Sequence, residues 1–144
     1  MKIIKVKILS NPEKLGYNDL VRVYENDNMI FGCSGSAFPN PFHPTNNKTY
    51  KELNYGIVAS GVYKWSVYQS PKFGKVLLLN NGKNVTCRNR DNPMTYCEIH
   101  SGGFKSKNPD WRGSVGCLTI SPVIWEYFIN LFGEAETGYL EVEN

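Results

Sequence analysis

The sequence predicts a mainly β fold, a β-sandwich or partly closed barrel carrying one α-helix in its C-terminal half. Three observations predict it. Apolar residues recur at strand period along most of the chain. Aromatic residues reach 13% with nine tyrosines, a composition suited to pleated, half-buried surfaces. Only one segment, late in the chain, shows helical spacing. At 144 residues the chain is long enough for a proper core, so residues 1–144 are expected to form a single domain.

In chain order, the first strand is IIKVKIL (3–9), where lysines 5 and 7 alternate with isoleucine and valine. DLVRVYENDNMIFGCSGS (19–36) reads as two strands joined by the polar turn Glu25–Asn28. Residues 34–54, rich in proline and asparagine, form a loop long enough to be functional or mobile. GVYKWSVYQ (61–69) alternates aromatic and aliphatic residues. KVLLLNNGKNV (75–85) is a strand running into Asn-Asn-Gly, a hairpin signal. MTYCEIH (94–100) is a further strand ending at His100, and GCLTI (116–120) follows a glycine-rich stretch. Ser121-Pro122 then supplies a helix start, VIWEYFINLFG (123–133) has helical spacing, and Gly133 stops it. GYLEVE (138–143) closes the chain as a strand. Trp65 and Trp125 fall at core positions of the strand and the helix.

Composition removes several function classes. The formal charge of +3 comes without any basic block of the kind nucleic-acid arms carry, so nucleic acid is not the expected partner. No apolar run approaches the length of a membrane span. The first residues are too interrupted for a signal-peptide core, and no export signal is visible. Four cysteines, at 33, 87, 97 and 117, are too sparse for a disulfide scaffold, although Cys87 and Cys97 could staple a hairpin. With no C-x-x-C and only His43 and His100, neither a zinc site nor any other cofactor is expected. His43 reads as an ordinary loop residue. The triplets Asn47–Thr49 and Asn84–Thr86 match a glycosylation pattern that chance often produces.

What remains is the segment CEIHSGGFKSKNPDWRGSVGCLTI, in which His100 and Cys117 stand seventeen positions apart. Taken singly, a cysteine in an apolar strand is usually a small buried hydrophobe and a histidine at a strand end a hydrogen-bonded bystander. Together they suit nucleophilic catalysis. A free thiol is only a few per cent thiolate at neutral pH and needs a neighbouring imidazole to activate it. If the intervening loop folds back, adjacent strand ends bring the two side chains together. Gly116 lets an acyl group approach the backbone, where the amides of Gly116 and Cys117 can form an oxyanion hole. Ser101 can orient the imidazole through its backbone carbonyl, replacing the carboxylate of a triad.

The pair IHSGG and SVGCLTI resembles the catalytic domain of the L,D-transpeptidase (YkuD-like) family, whose signature is I-H-G, a gap of about fifteen residues, and S-H-G-C followed by an apolar residue. Upstream, VRVYENDNMIFGCSGS is similar to that family's opening hairpin, and NYGIVASGVYKW to its T-P-x-G-x-Y segment. The resemblance covers about residues 20–120, with only the His-to-Cys block specific. It implies a β-sandwich enzyme that attacks the L,D peptide bond of a peptidoglycan tetrapeptide stem, releases terminal D-alanine, and passes the acyl group to an amine or to water. Carried over by position, Cys117 is the nucleophile, His100 the base, Ser101 the orienting carbonyl, and Ser114 with Gly116 the small residues of the motif. Val115 departs from the family by standing where S-H-G-C has histidine, and Thr119 by standing where arginine or asparagine is usual. The change at 115 bears on substrate preference and rate before it bears on the chemistry.

Tyr96, Gly102, Trp111, Arg112, Arg88 and Arg90 are the candidate substrate-binding residues, the arginines because guanidinium grips a carboxylate with two hydrogen bonds. Peptidoglycan stem peptides are then the expected partner, acted on in the cell envelope by a monomer. The absent export signal suits divergent phage or secreted relatives with a secretion or immunity partner. Two alternatives stay open: another cysteine hydrolase or amidase with the same dyad, and a catalytically inactive envelope-binding module.

Overall fold

The computed structural model describes residues 3–10, 17–37, 56–102, 118–133 and 136–143. Eight strands run through them: β1 (Ile4–Leu9), β2 (Asp19–Glu25), β3 (Asn28–Ser36), β4 (Gly61–Ser70), β5 (Gly74–Leu79), β6 (Glu98–Ser101), β7 (Leu118–Ile120) and β8 (Thr137–Glu143). They close into a barrel in the order β1-β2-β3-β7-β6-β5-β4-β8. Closure distinguishes the structure from a sandwich or a partly open barrel. The strand pattern is common to all three, because each buries one face of every strand.

Alternation builds the interior. Ile4, Val6 and Ile8 of β1 are buried, as are Val21 and Val23 of β2 and Leu140 and Val142 of β8, while their neighbours face outward. The β2–β3 turn at Asn26-Asp27 puts both residues at positive φ, a geometry that asparagine and aspartate tolerate. The seam that closes the barrel is parallel, with Val6 beside Leu140 and Ile8 beside Val142. Lys5 and Lys7 pair across it with Glu141 and Glu143 at 3.4 and 3.0 Å. Gly138 pairs with Trp65 across β4–β8, and a Cβ there would run into the Ile4 carbonyl and the Trp65 ring. Glycine at this position lets the tryptophan fill the barrel.

Several expectations change. The helix is shorter than 123–133: α1 spans Trp125–Ile129, entered through turns at 122–124, and Ser121 receives Ile124 N–H on its backbone carbonyl instead of capping with its side chain. Pro122 and the β-branched pair Val123-Ile124 weaken the first turn. Asn-Asn-Gly does not close a hairpin. Asn80 and Asn81 lie at positive φ inside a 3₁₀ turn, Asn80–Gly82, and β5 finds its second partner in β6. The strand read at 94–100 begins only at Glu98, because Tyr96 adopts φ 50° and Met94 makes an isolated bridge to Val85. Cys87 and Cys97 are both buried and are not joined by a disulfide, so none staples this region.

The long loop read at 34–54 begins later than expected, since β3 continues to Ser36; residues 38–55, with His43, lie outside the described residues. Trp65 and Trp125 are buried at core positions. No helix among the described residues is long and apolar enough to cross a membrane.

Candidate active site

β6 and β7 are hydrogen-bonded neighbours, and they run parallel, with Ile99 beside Leu118, His100 beside Thr119 and Ser101 beside Ile120. Ile99 and Leu118 belong to the apolar core, so the strand alternation turns His100 and Thr119 to the opposite face of the same two strands. Thr119 in turn pairs with Ser36 of β3. Ser36, Thr119 and His100 therefore form one polar row across three strands, and all are buried, His100 with 2% of its surface exposed and Thr119 with none. Polar side chains with so little solvent need partners or a purpose.

His100 has one well-defined partner. Its Nδ1 lies 2.8 Å from the Ser101 carbonyl oxygen. A backbone carbonyl carries no proton, so this contact is a hydrogen bond only when Nδ1 bears the hydrogen. The neutral ring is thus the Nδ1–H tautomer, and Nε2 is left with its lone pair, without a hydrogen bond among the described residues. Ser101 Oγ donates to the Gly102 carbonyl at 2.9 Å. Gly102 N–H donates to the Ile120 carbonyl at 2.8 Å, tying the end of β6 to β7. A Cβ on Gly102 would collide with the Tyr17 hydroxyl, which explains glycine directly after the His-Ser pair.

The ring's broad face is covered by a residue that no sequence motif singles out. Phe73, on the β4–β5 turn, stacks on His100 with ring centroids 3.9 Å apart and planes 11° from parallel. Phe73 reaches His100 because β5 and β6 pair antiparallel, a non-local register with no trace in the local motif.

Cys117, Gly116, Val115, Ser114, Arg112 and Trp111 lie outside the described residues. The register sets His100 beside Thr119, two positions along the chain from Cys117. Tyr96 is 68% exposed and its ring lies against Gly82, at the opposite end of β5 from Phe73. Arg90 donates from Nε to the Asn92 carbonyl at 2.9 Å, so its guanidinium serves its own loop. Arg88 is exposed, and its backbone N–H donates to the Ile57 carbonyl at 2.8 Å. On β3, burial pushes the Cys33 thiol up to about 11, which keeps it protonated and unreactive at neutral pH. No group of three or more metal-ligating side chains occurs among the described residues.

No protein-family model matches the sequence, and no curated protein matches it. Solved structures do match in fold. An L,D-transpeptidase (Yku) from Stackebrandtia nassauensis is similar over 98% of this chain and 55% of its own, with a TM-score of 0.52 at 15% identity. A mutant of the Enterococcus faecium L,D-transpeptidase is similar over 98% of this chain and 49% of its own, with a TM-score of 0.47 at 12% identity. The chain spans about half the length of each. The fold is β-rich and L,D-transpeptidase-like.

Proposed function

We propose that this protein is a peptidoglycan-modifying cysteine enzyme that opens the L,D peptide bond of tetrapeptide stems through a Cys117 acyl-enzyme. The observation that carries this reading is the contact of His100 Nδ1 with the Ser101 carbonyl, which reserves Nε2 for a proton. The likeness of fold to an L,D-transpeptidase and the order of His100, Ser101, Ser114, Gly116 and Cys117 along the chain support it. In the reaction, Nε2 takes the thiol proton and the Cys117 sulfur attacks the carbonyl carbon of the L,D bond. The backbone amides at Gly116 and Cys117 receive the developing oxyanion. Collapse breaks the C–N bond, and the imidazolium returns its proton to the departing D-alanine amine. An acceptor amine or water then releases the acyl group, giving a cross-link or a shortened stem. The substrate places the site of action in the cell envelope.

The deciding experiment incubates the purified protein with tetrapeptide-stem muropeptides and reads the products by mass spectrometry. Loss of D-alanine, with or without cross-linked dimers, is expected, along with a transient adduct on Cys117. Cys117→Ala and His100→Ala should each abolish turnover, and the double variant should be no worse than either, because the two act as one unit. Full activity in folded His100→Ala would overturn the assignment of the base.

A further inference from the structure

The β4–β5 turn offers His100 more than cover, and its construction shows why. Ser70 and Gly74 are paired across the ends of the two strands, Gly74 takes φ +73°, and Pro71 stiffens the chain between them. The Ser70 hydroxyl accepts from both Lys72 N–H and Phe73 N–H at 3.3 Å, so one side chain fixes the two residues at the tip. Phe73, half-buried, is thereby delivered flat onto the imidazole, and Lys72 Nζ lies 5.2 Å from the centroid of the same phenyl ring.

We propose that Phe73 is a positioning residue for His100, fixing the plane of the imidazole while the Ser101 carbonyl fixes its edge. This rests on the reading of His100 as the base. A histidine has two soft torsions. The hydrogen bond at Nδ1 selects which edge of the ring faces β6, but one hydrogen bond leaves the ring free to rock about it. A phenyl face 3.9 Å away and nearly parallel removes that freedom, since any tilt drives an imidazole edge into the phenyl and a half-turn must sweep through it. Together the two contacts leave Nε2 a single direction along the ring plane. Proton transfer depends on that direction, because misplacing a reacting group by about 1 Å costs on the order of a hundredfold in rate. The phenyl also excludes water from one face of the base. A merely structural phenylalanine would be satisfied by any apolar contact; a flat, parallel stack on a polar ring is a geometric constraint.

The test uses Phe73→Ala, Phe73→Leu and Phe73→Tyr in the whole chain. The first readout is the ring-nitrogen NMR spectrum of His100, which needs no turnover. Wild type is expected to show one Nδ1–H tautomer. Alanine and leucine should give exchange-averaged ring nitrogens, and tyrosine, which keeps the flat face, should restore the wild-type pattern. Leucine retains apolar bulk and covers the case in which alanine fails to fold. The second readout is turnover of muropeptides, where kcat should fall on the order of tenfold with KM little changed, again rescued by tyrosine. A single unperturbed tautomer in folded Phe73→Leu overturns the proposal, as does unchanged kcat in an active enzyme. If no variant and no wild type turns over muropeptides while the tautomer responds as expected, the positioning role stands and the reading of the substrate falls.

Discussion

Thr119 carries a hydroxyl that has no hydrogen-bond partner among the described residues although the residue is fully buried, and it sits between Ser36 and His100 in the polar row. Leaving such a group unpaired costs about 1–3 kcal/mol of desolvation. Threonine to valine keeps the shape and removes the hydroxyl, so Thr119→Val is expected to hold or raise the urea midpoint. Most buried polar substitutions lower it. A stabilised variant that has also lost muropeptide turnover would mark the hydroxyl as a group kept for substrate; an unfolding free energy lowered by more than about 1 kcal/mol would mean it is satisfied in solution. The neighbouring positions follow ordinary structural logic. Gly102 is read from the Tyr17 hydroxyl that occupies the place of its Cβ, and Gly102→Ala should unfold readily by displacing either the tyrosine or the end of β6.

The helix illustrates what an element owes to its context. Five residues are too few for a helix to persist alone, and α1 is held by a chain of aromatic contacts: Trp125 to Phe128 at 5.7 Å, Phe128 to Phe132 at 5.1 Å, and Phe132 edge-on to Trp65 of β4 at 5.0 Å. Phe132→Ala should therefore cost about 3–5 kcal/mol in denaturant unfolding, while Tyr127→Ala, on a 69% exposed side chain of the same helix, should stay within about 0.5 kcal/mol. Equal losses would mean that the helix does not dock through Phe132. Its existence was legible from the spacing of these aromatics, but its length was not, because propensity at Val123 and Ile124 competes with packing. The β2–β3 hairpin was legible to the residue, since Asn26-Asp27 both specifies the turn and adopts it. Asn80-Asn81-Gly82 carries the same local signal and adopts positive φ, yet the chain after it does not return along β5, because β6 already occupies that edge. Turn chemistry predicts a bend; tertiary pairing decides what the bend joins.

At the scale of the molecule, what the sequence could not convey is what joins distant segments: the parallel β1–β8 seam that closes the barrel, and the β5–β6 register that carries Phe73 to His100. The contact of His100 with the Ser101 carbonyl was legible because it joins sequence neighbours, whereas the small residues before Cys117 lie outside the described residues. Closure has a consequence for stability at high pH. Burial raises the Cys33 thiol from 9.0 to about 11. Burial, and then the nearby Cys97 and Cys87 thiols, raises Tyr63, whose hydroxyl donates to the Ala59 carbonyl at 2.6 Å. On the seam, the hydrogen bond to Glu143, and then the charge of Glu141, raises Lys7. Each group keeps its proton longer folded than unfolded, so between the two pKa values the unfolded chain has released protons that the native protein still holds. Stability from these groups is complete below pH 9 and drains as pH climbs through the folded values. Urea midpoints should therefore be flat between about pH 7 and 8.5 and decline steadily above about pH 9. Cys33→Ala lowers the midpoint at every pH by emptying volume, but it should flatten the decline between about pH 9 and 11, and Tyr63→Phe should flatten the part above about pH 10. A Cys33→Ala curve parallel to wild type across that window would show that the thiol is as accessible in the barrel as in the open chain, and that the β3 wall admits water.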